Sequence, residues 1–158
     1  MRPAAGPEIG QPAPEIRLKG RGGQFVTLSE FRGKKNVVLV FYPLAFSGVC
    51  SHQLPTIERD LAQFEALNAA VLGISVDSHF SNTEFADKLK LTFPLLSDFK
   101  REVSMAYGVL LDTGYSGRAI FVVDREGRLA YRDVSQDPGN LEQAPSNARA
   151  IEALKALT

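Results

Sequence analysis

Only one cysteine, Cys50, occurs among the 158 residues. No intramolecular disulfide can form, and a Cys-x-x-Cys redox pair is missing, which argues against a disulfide oxidoreductase. Two histidines, His52 and His79, complete the set of soft ligands. Three such isolated residues make no metal-ligand spacing, so neither a metal nor a cofactor is expected. Charge of one sign does not prevail either: 18 basic and 18 acidic residues cancel formally. That balance gives no strong attraction to nucleic acid or an anionic membrane, and no Lys/Arg block is long enough to act as a basic tail. Long hydrophobic runs of membrane-spanning length are absent. The first twenty residues, rich in Pro and Gly, lack the apolar stretch of a signal peptide, and the expectation is a cytoplasmic protein. Gly20-Arg21-Gly22-Gly23 does not precede a helical pattern, so it is not a phosphate-cradling loop.

What the chain does contain is an ordinary apolar core. Hydrophobic residues make up 44%, enough for one domain over residues 1–158 with a buried interior. Four of the nine prolines fall at Pro3, Pro7, Pro12 and Pro14, which reads as an extended arm, flexible over residues 1–8. Residues 15–18 and 25–28 flank the glycine turn as a hairpin, and residues 29–31 suit one helical turn stopped at Gly33. Residues 37–42 (Val-Val-Leu-Val-Phe-Tyr) are apolar almost throughout, the mark of a strand covered on both faces. From Cys50, apolar positions at Leu54, Ile57, Leu61, Phe64 and Leu67 recur in steps of three and four, predicting one helix. Pro55 sits either in its first turn or, if the helix begins at Ser47, further inside.

Residues 70–76 form a second buried strand. Ser81 and Glu84 make a capping-box pattern, flanked by Phe80 and Phe85 as a hydrophobic staple, and predict a helix from 82 to about 90. Residues 93–96 are short and apolar, and a helix over 100–107 ends at Gly108. Two strands, 119–123 and 129–134, flank an Asp124-Arg125-Glu126-Gly127 turn. Ser146 is placed to cap a last helix with Ile151, Leu154 and Leu157 on one face. Two crossovers followed by an antiparallel hairpin define an α/β fold with a central mixed sheet covered by helices.

Cys50 lies at a strand–loop–helix junction. A helix N-terminus favours the thiolate, the reactive form of the side chain. Pro43-x-x-x-Ser47-x-x-Cys50 after a buried strand resembles the peroxiredoxin signature Pro-x-x-x-Thr/Ser-x-x-Cys. Gly10-x-x-Ala13-Pro14-x-Ile16-x-Leu18, Phe41-Tyr42-Pro43, and Arg118 ahead of Ala119-Ile120-Phe121-Val122-Val123-Asp124 resemble further family segments, so the likeness spans residues 8–135. The wording around Cys50 is similar to the one-cysteine alkyl hydroperoxide reductase E type. One departure is visible: Gln53 stands where many members carry Glu.

The resemblance implies a thioredoxin-like fold with an N-terminal β-hairpin. It also implies a thiol-dependent peroxidase acting on hydrogen peroxide and organic hydroperoxides in antioxidant defence. Cys50 is then the nucleophile and becomes a sulfenic acid. Arg118 faces its sulfur, Ser47 Oγ and the N–H groups of Val49 and Cys50 donate to the peroxide, and Pro43 shields the thiolate. The lone cysteine requires an external thiol or a thioredoxin/glutaredoxin-type protein as reductant, and the family resemblance implies a homodimer or higher homo-oligomer. A competing reading is a thioredoxin-fold peroxide sensor that signals through Cys50 oxidation.

The chemistry needs more than a reactive thiol. A free cysteine of pKa about 8.5 is roughly 3% ionised at pH 7, so full ionisation gains at most about 30-fold. Part of that is returned as lower nucleophilicity. Charge leaving on the distal peroxide oxygen must also be stabilised, and one positioned donor contributes about 10²–10³ in rate. Arginine suits this role because it stays charged and presents a fixed fork of donors. His52 is not a partner for Cys50, since residues two apart on a helix point about 200° from one another. His79 is expected in solvent. Phe41, Tyr42 and Phe46 divide between plain core and a substrate pocket or dimer contact, and the apolar Leu44, Ala45 and Phe46 beside the site mildly favour organic hydroperoxides.

Overall fold

In the computed structural model the described residues form one seven-stranded mixed sheet, in the order β2-β1-β5-β4-β3-β6-β7. The structure describes residues 6–48, 50–135, 137 and 139–157, with Cys50 and Leu141 described for the backbone alone. The strands are β1 (Arg17–Lys19), β2 (Phe25–Thr27), β3 (Asn36–Phe41), β4 (Ala69–Ser75), β5 (Leu95–Ser97), β6 (Ala119–Val123) and β7 (Leu129–Val134). The α-helices are α1 (Cys50–Arg59), α2 (Leu61–Ala66), α3 (His79–Leu89), α4 (Glu102–Ala106) and α5 (Asn147–Lys155). β3, β4 and β5 are parallel, linked by helical crossovers; β6 runs antiparallel to β3 and β7 to β6.

Every residue of β3 is buried. Val38 and Val40 enter one core with Leu54, Ile57, Phe64, Phe85, Ile151 and Leu154, contributed by α1, α2, α3 and α5. Val37, Leu39 and Phe41 enter the opposite core with Val103 of α4, Tyr107 and the N-terminal Ile16. A continuous apolar run is thus the signature of a strand sandwiched between two helical layers. Fully burying each such side chain contributes about 1.5–3 kcal/mol.

The N-terminal hairpin forms with Arg17 opposite Thr27, and a short 3₁₀ turn at Ser29–Phe31 follows it. Gly33 and Gly127 take positive φ at the ends of their turns, and the Gly127 N–H donates to Asp124 O at 2.9 Å. The arm is seated from Gly6 onward. A Cβ on Gly6 would clash with the Tyr107 carbonyl oxygen, Pro7 is buried, and Gly10, Gln11 and Ala13 bond to the 127–129 backbone. The part of the arm at residues 1–5 lies outside the described residues.

Two helices differ from expectation. The single helix expected from Cys50 to Leu67 is broken at Asp60 (φ −96°, ψ 4°), although Leu54, Ile57 and Phe64 do share one buried face. The Asp60 carboxylate is engaged by Arg59 and Asn147, and its carbonyl accepts from Gln63 and Phe64 as the start of α2. Pro55 lies inside α1, which the Ser51 N–H to Ser47 O bond extends back to Ser47.

α3 begins at His79 rather than 82, capped by Ser78 Oγ accepting from the Ser81 N–H at 3.2 Å. The Ser81–Glu84 capping box therefore does not form. Phe80 is 72% exposed and cannot staple, while Phe85 is fully buried. The earlier start turns Asn82 inward, where its side chain bonds Tyr42 and Ser75. His79, expected in solvent, is half-buried with its ring 4.0 Å from that of Phe80. The last helix is as the pattern predicts: Ser146 Oγ accepts from Arg149 N, and Ile151 and Leu154 are buried.

Candidate active site

The loop from Pro43 to Gly48 leaves the carboxyl end of β3, at the edge of the sheet where α/β folds gather their chemistry. Its start is anchored by the strand ladder, with Tyr42 N–H donating to Ile74 O at 3.1 Å. The Tyr42 carbonyl accepts from Ser116 Oγ at 3.1 Å, and Pro43 beyond it is buried. A buried polar cluster then fixes the middle of the loop. Asp77 Oδ2 accepts from the Ala45 N–H at 2.7 Å and from Ser75 Oγ at 2.8 Å. Asn82 Oδ1 accepts from Tyr42 Oη at 2.7 Å, with Ser75 Oγ 3.1 Å away. The end of β4 and the first turn of α3 thereby hold the loop by its backbone.

Phe46 carries the local strain, with φ of +66°. Left-handed backbone is unusual for a bulky residue and costs of order 1–2 kcal/mol. The ring packs on Phe85 at 5.0 Å while half of the residue stays exposed. From here the chain turns into α1. The Ser47 carbonyl accepts both the Ser51 N–H and Ser51 Oγ, each at 2.9 Å, which makes Ser47 the entry to the helix. Its own Oγ is buried and has no hydrogen-bond partner among the described residues. Cys50 lies in the first turn of this helix, where backbone N–H groups lack intrahelical acceptors. The expected Val49 N–H donor lies outside the described residues, as does the Cys50 side chain.

Arg118 reaches this turn from the opposite direction. It stands one residue before the Ala119–Phe41 pair of the β3–β6 ladder, beside the strand end that feeds the loop. The residue is 2% exposed, and Nη1 donates to Gln53 Oε1 at 2.6 Å. Gln53 follows Cys50 by three positions along α1, just under one helical turn. A buried guanidinium is therefore held against the first turn of the helix that Cys50 opens. Gln53 meets the arginine with a neutral amide oxygen, and its Nε2 is buried without a partner among the described residues. Phe41 and Tyr42 are core; of the three aromatics near the site, Phe46 alone is open to solvent.

The structure thus gathers Pro43, Ser47, the backbone of Cys50 and Arg118 at one end of the sheet. His52 lies on α1 as well, but among the described residues no group of three or more His, Cys, Asp or Glu is arranged to hold a metal. Ser75, Asp77, Asn82 and Ser116 escape the sequence reading. Their signal is a polar residue at a buried position: Asn82 stands three before Phe85 on the inward face of α3, and Ser75 closes an apolar strand.

A mixed sheet covered by helices, with a cysteine opening the helix after its central strand, defines a thioredoxin-like fold of the peroxiredoxin class, and the comparisons agree. The AhpC/TSA family model matches residues 9–132, and the chain belongs to that family. It is 40% identical over 151 residues to the alkyl hydroperoxide reductase E of Mycobacterium tuberculosis, covering 94% of this chain and 98% of that one. The chloroplastic 2-cysteine peroxiredoxin of Chattonella marina is 35% identical over 94% of this chain and 80% of its own. Among solved structures, the reduced 2-Cys peroxiredoxin of Plasmodium vivax superposes with a TM-score of 0.84 at 30% identity, covering 94% of this chain and 81% of that one. AhpC of Mycobacterium tuberculosis gives 0.83 at 28% identity, with 96% and 93% covered.

Proposed function

We propose that this peroxiredoxin works by a one-cysteine mechanism on hydrogen peroxide and organic hydroperoxides. The Cys50 thiolate attacks one peroxide oxygen: an S–O bond forms, the O–O bond breaks, sulfur is oxidised, and the leaving oxygen takes a proton as water or an alcohol. Arg118 stabilises the thiolate and the charge on the leaving oxygen. Ser47 Oγ donates to the peroxide, and Pro43 covers the sulfur without adding a polar group. The observation that carries this reading is the buried Arg118 held by Gln53, one helical turn from the only cysteine. Among relatives, the name alkyl hydroperoxide reductase E and the exposed Leu44 and Phe46 beside the loop support organic hydroperoxides.

With no second cysteine, the sulfenic acid is reduced by an external thiol or a thioredoxin/glutaredoxin-type protein. The protein works as a cytoplasmic antioxidant enzyme and pairs as a homodimer through loops near the site, where Phe46 is exposed. Stopped-flow peroxide consumption tests the core of the proposal. Cys50→Ser is expected to abolish it and Arg118→Ala to slow it by about 10²–10³; undiminished consumption by Cys50→Ser refutes it. Mass spectrometry after peroxide and a candidate thiol is expected to find a mixed disulfide on Cys50, sedimentation a dimer, and cell fractionation the protein in the cytosol.

A further inference from the structure

A groove of about 780 Å³ runs between α1 and α5, within the size range of small-molecule sites. Gln53 and Thr56 line it from α1, and Asn147 and Ile151 from α5. Gln53 ties the groove to the cysteine site. Its Oε1 is taken by Arg118, while its Nε2, in a residue only 3% exposed, has no acceptor among the described residues. A buried amide donor without an acceptor costs about 1–3 kcal/mol, and the terminal amide torsion of glutamine is soft. A ligand oxygen entering the groove would satisfy it after a small turn.

The rim decides what kind of molecule fits. Arg59 pairs with Asp60 at 3.0 Å and Lys155 with Glu152 at 3.3 Å, so both signs are presented and formally cancel. A polyanion would meet Asp60 and Glu152. A molecule carrying an ammonium, a carboxylate and an amide meets an opposite charge for each end and Gln53 for its carbonyl.

Resting on the reading that Cys50 is oxidised by peroxide and reduced from outside, we propose that this groove binds the reductant, a small zwitterionic peptide thiol. Anchored at Gln53, the thiol lies within about one helical turn of Cys50. Its sulfur displaces water from the sulfenic acid: the S–S bond forms, the S–O bond breaks, and a proton completes the water. A second molecule of the same thiol then attacks the ligand sulfur of the mixed disulfide, releasing the small-molecule disulfide and the Cys50 thiolate. Two thiols supply the two electrons that the peroxide took.

The test fills the groove without touching the cysteine site. Ala148 is exposed on the groove wall, so Ala148→Trp occupies the space and leaves the core intact. Cysteinylglycine is compared with 2-mercaptoethanol as reductant of peroxide-oxidised Cys50, followed by mass spectrometry. Ala148→Trp is expected to slow reduction by cysteinylglycine at least tenfold, leaving 2-mercaptoethanol and the peroxide step unchanged. An equal effect on both thiols, or on neither, overturns the proposal. Binding of S-methyl-cysteinylglycine, read from amide NMR shifts, is expected to map to α1 and α5 and to vanish in Ala148→Trp. Absence of shifts, or shifts elsewhere, leaves a solvent groove with Gln53 satisfied by water and overturns the inference. If peroxide does not oxidise Cys50 in the unaltered protein, the peroxidase reading itself fails, and the NMR arm still judges the groove.

Discussion

Replacing Gln53 by Glu adds one negative charge at a known place and leaves shape almost unchanged. In the present structure the amide oxygen accepts from Arg118 Nη1 at 2.6 Å and neutralises nothing. Residues three apart on a helix lie about 6 Å from one another, and that spacing sets the order of the interaction between a carboxylate there and a Cys50 thiolate. Two unit charges at that separation interact by about 2.8 kcal/mol at an effective dielectric of 20, which corresponds to about two pKa units. The thiolate is therefore expected to form about two pH units higher in Gln53→Glu. The assay is the rate of peroxide consumption as a function of pH: its midpoint should move to higher pH, with the two profiles converging where both thiols are ionised. Gln53→Leu serves as the contrast. It removes the acceptor, at a cost of about 1.5–3 kcal/mol for a bond to a charged group, and withdraws one of the contacts that hold Arg118. That variant should be slower at every pH. A Gln53→Glu profile that falls uniformly with an unmoved midpoint would refute the electrostatic argument.

Asp77→Ala removes the acceptor of the Ala45 N–H and is expected to destabilise the fold by about 2 kcal/mol in denaturant titration, and to slow peroxide consumption by loosening the loop. Gly73→Ala places a Cβ 2.5 Å from Leu95 Cδ2 and 3.5 Å from Phe93 and Tyr42; overpacking of this kind is expected to cost about 1–3 kcal/mol, read as a lower denaturation midpoint. Tyr107→Phe leaves the Pro14 carbonyl without its 2.7 Å donor and should cost about 1 kcal/mol. Burial raises the Asp98 carboxyl above its ordinary 3.8, although the backbone N–H groups of Ser104 and Val103, which donate to it, lower it. The folded state therefore holds that proton more tightly than the unfolded one, and the contribution of Asp98 to stability falls as pH rises from 3.8 through the raised value. In paired titrations, the stability of the unaltered protein relative to Asp98→Asn should decline with pH across that window and level off above it.

The parts of this molecule legible in its sequence are those set by local pattern. An unbroken apolar run can only be a strand with cover on both faces, and β3 is buried at all its positions. Ser146 before an amphipathic stretch caps α5 as its chemistry demands. Legibility ends where two local solutions compete and distant residues choose between them. Ser78 and Ser81 both suit a helix cap; Ser78 prevails because a helix begun there turns Asn82 toward Tyr42 and Ser75, partners 40 and 7 residues away along the chain. The stripe from Leu54 to Leu67 reads as one helix, but Asp60 breaks it once Arg59 and Asn147 occupy its carboxylate.

The site divides in the same way. Pro43, Ser47, Cys50 and Arg118 stand in a recognisable pattern, whereas the left-handed Phe46 and the Asp77 anchor depend on contacts made only in the fold. The strain at Phe46 persists because the loop is overdetermined. Tyr42 is fixed by the strand ladder, Ala45 by Asp77 and Ser47 by the first turn of α1, so the chain between them cannot relax without breaking a hydrogen bond worth as much as the strain. Gln53 draws both parts together. In the sequence it is only a departure from an acidic position; in the structure its neutral amide oxygen accepts from the buried Arg118 guanidinium, where an acidic residue would set a negative charge against that cation.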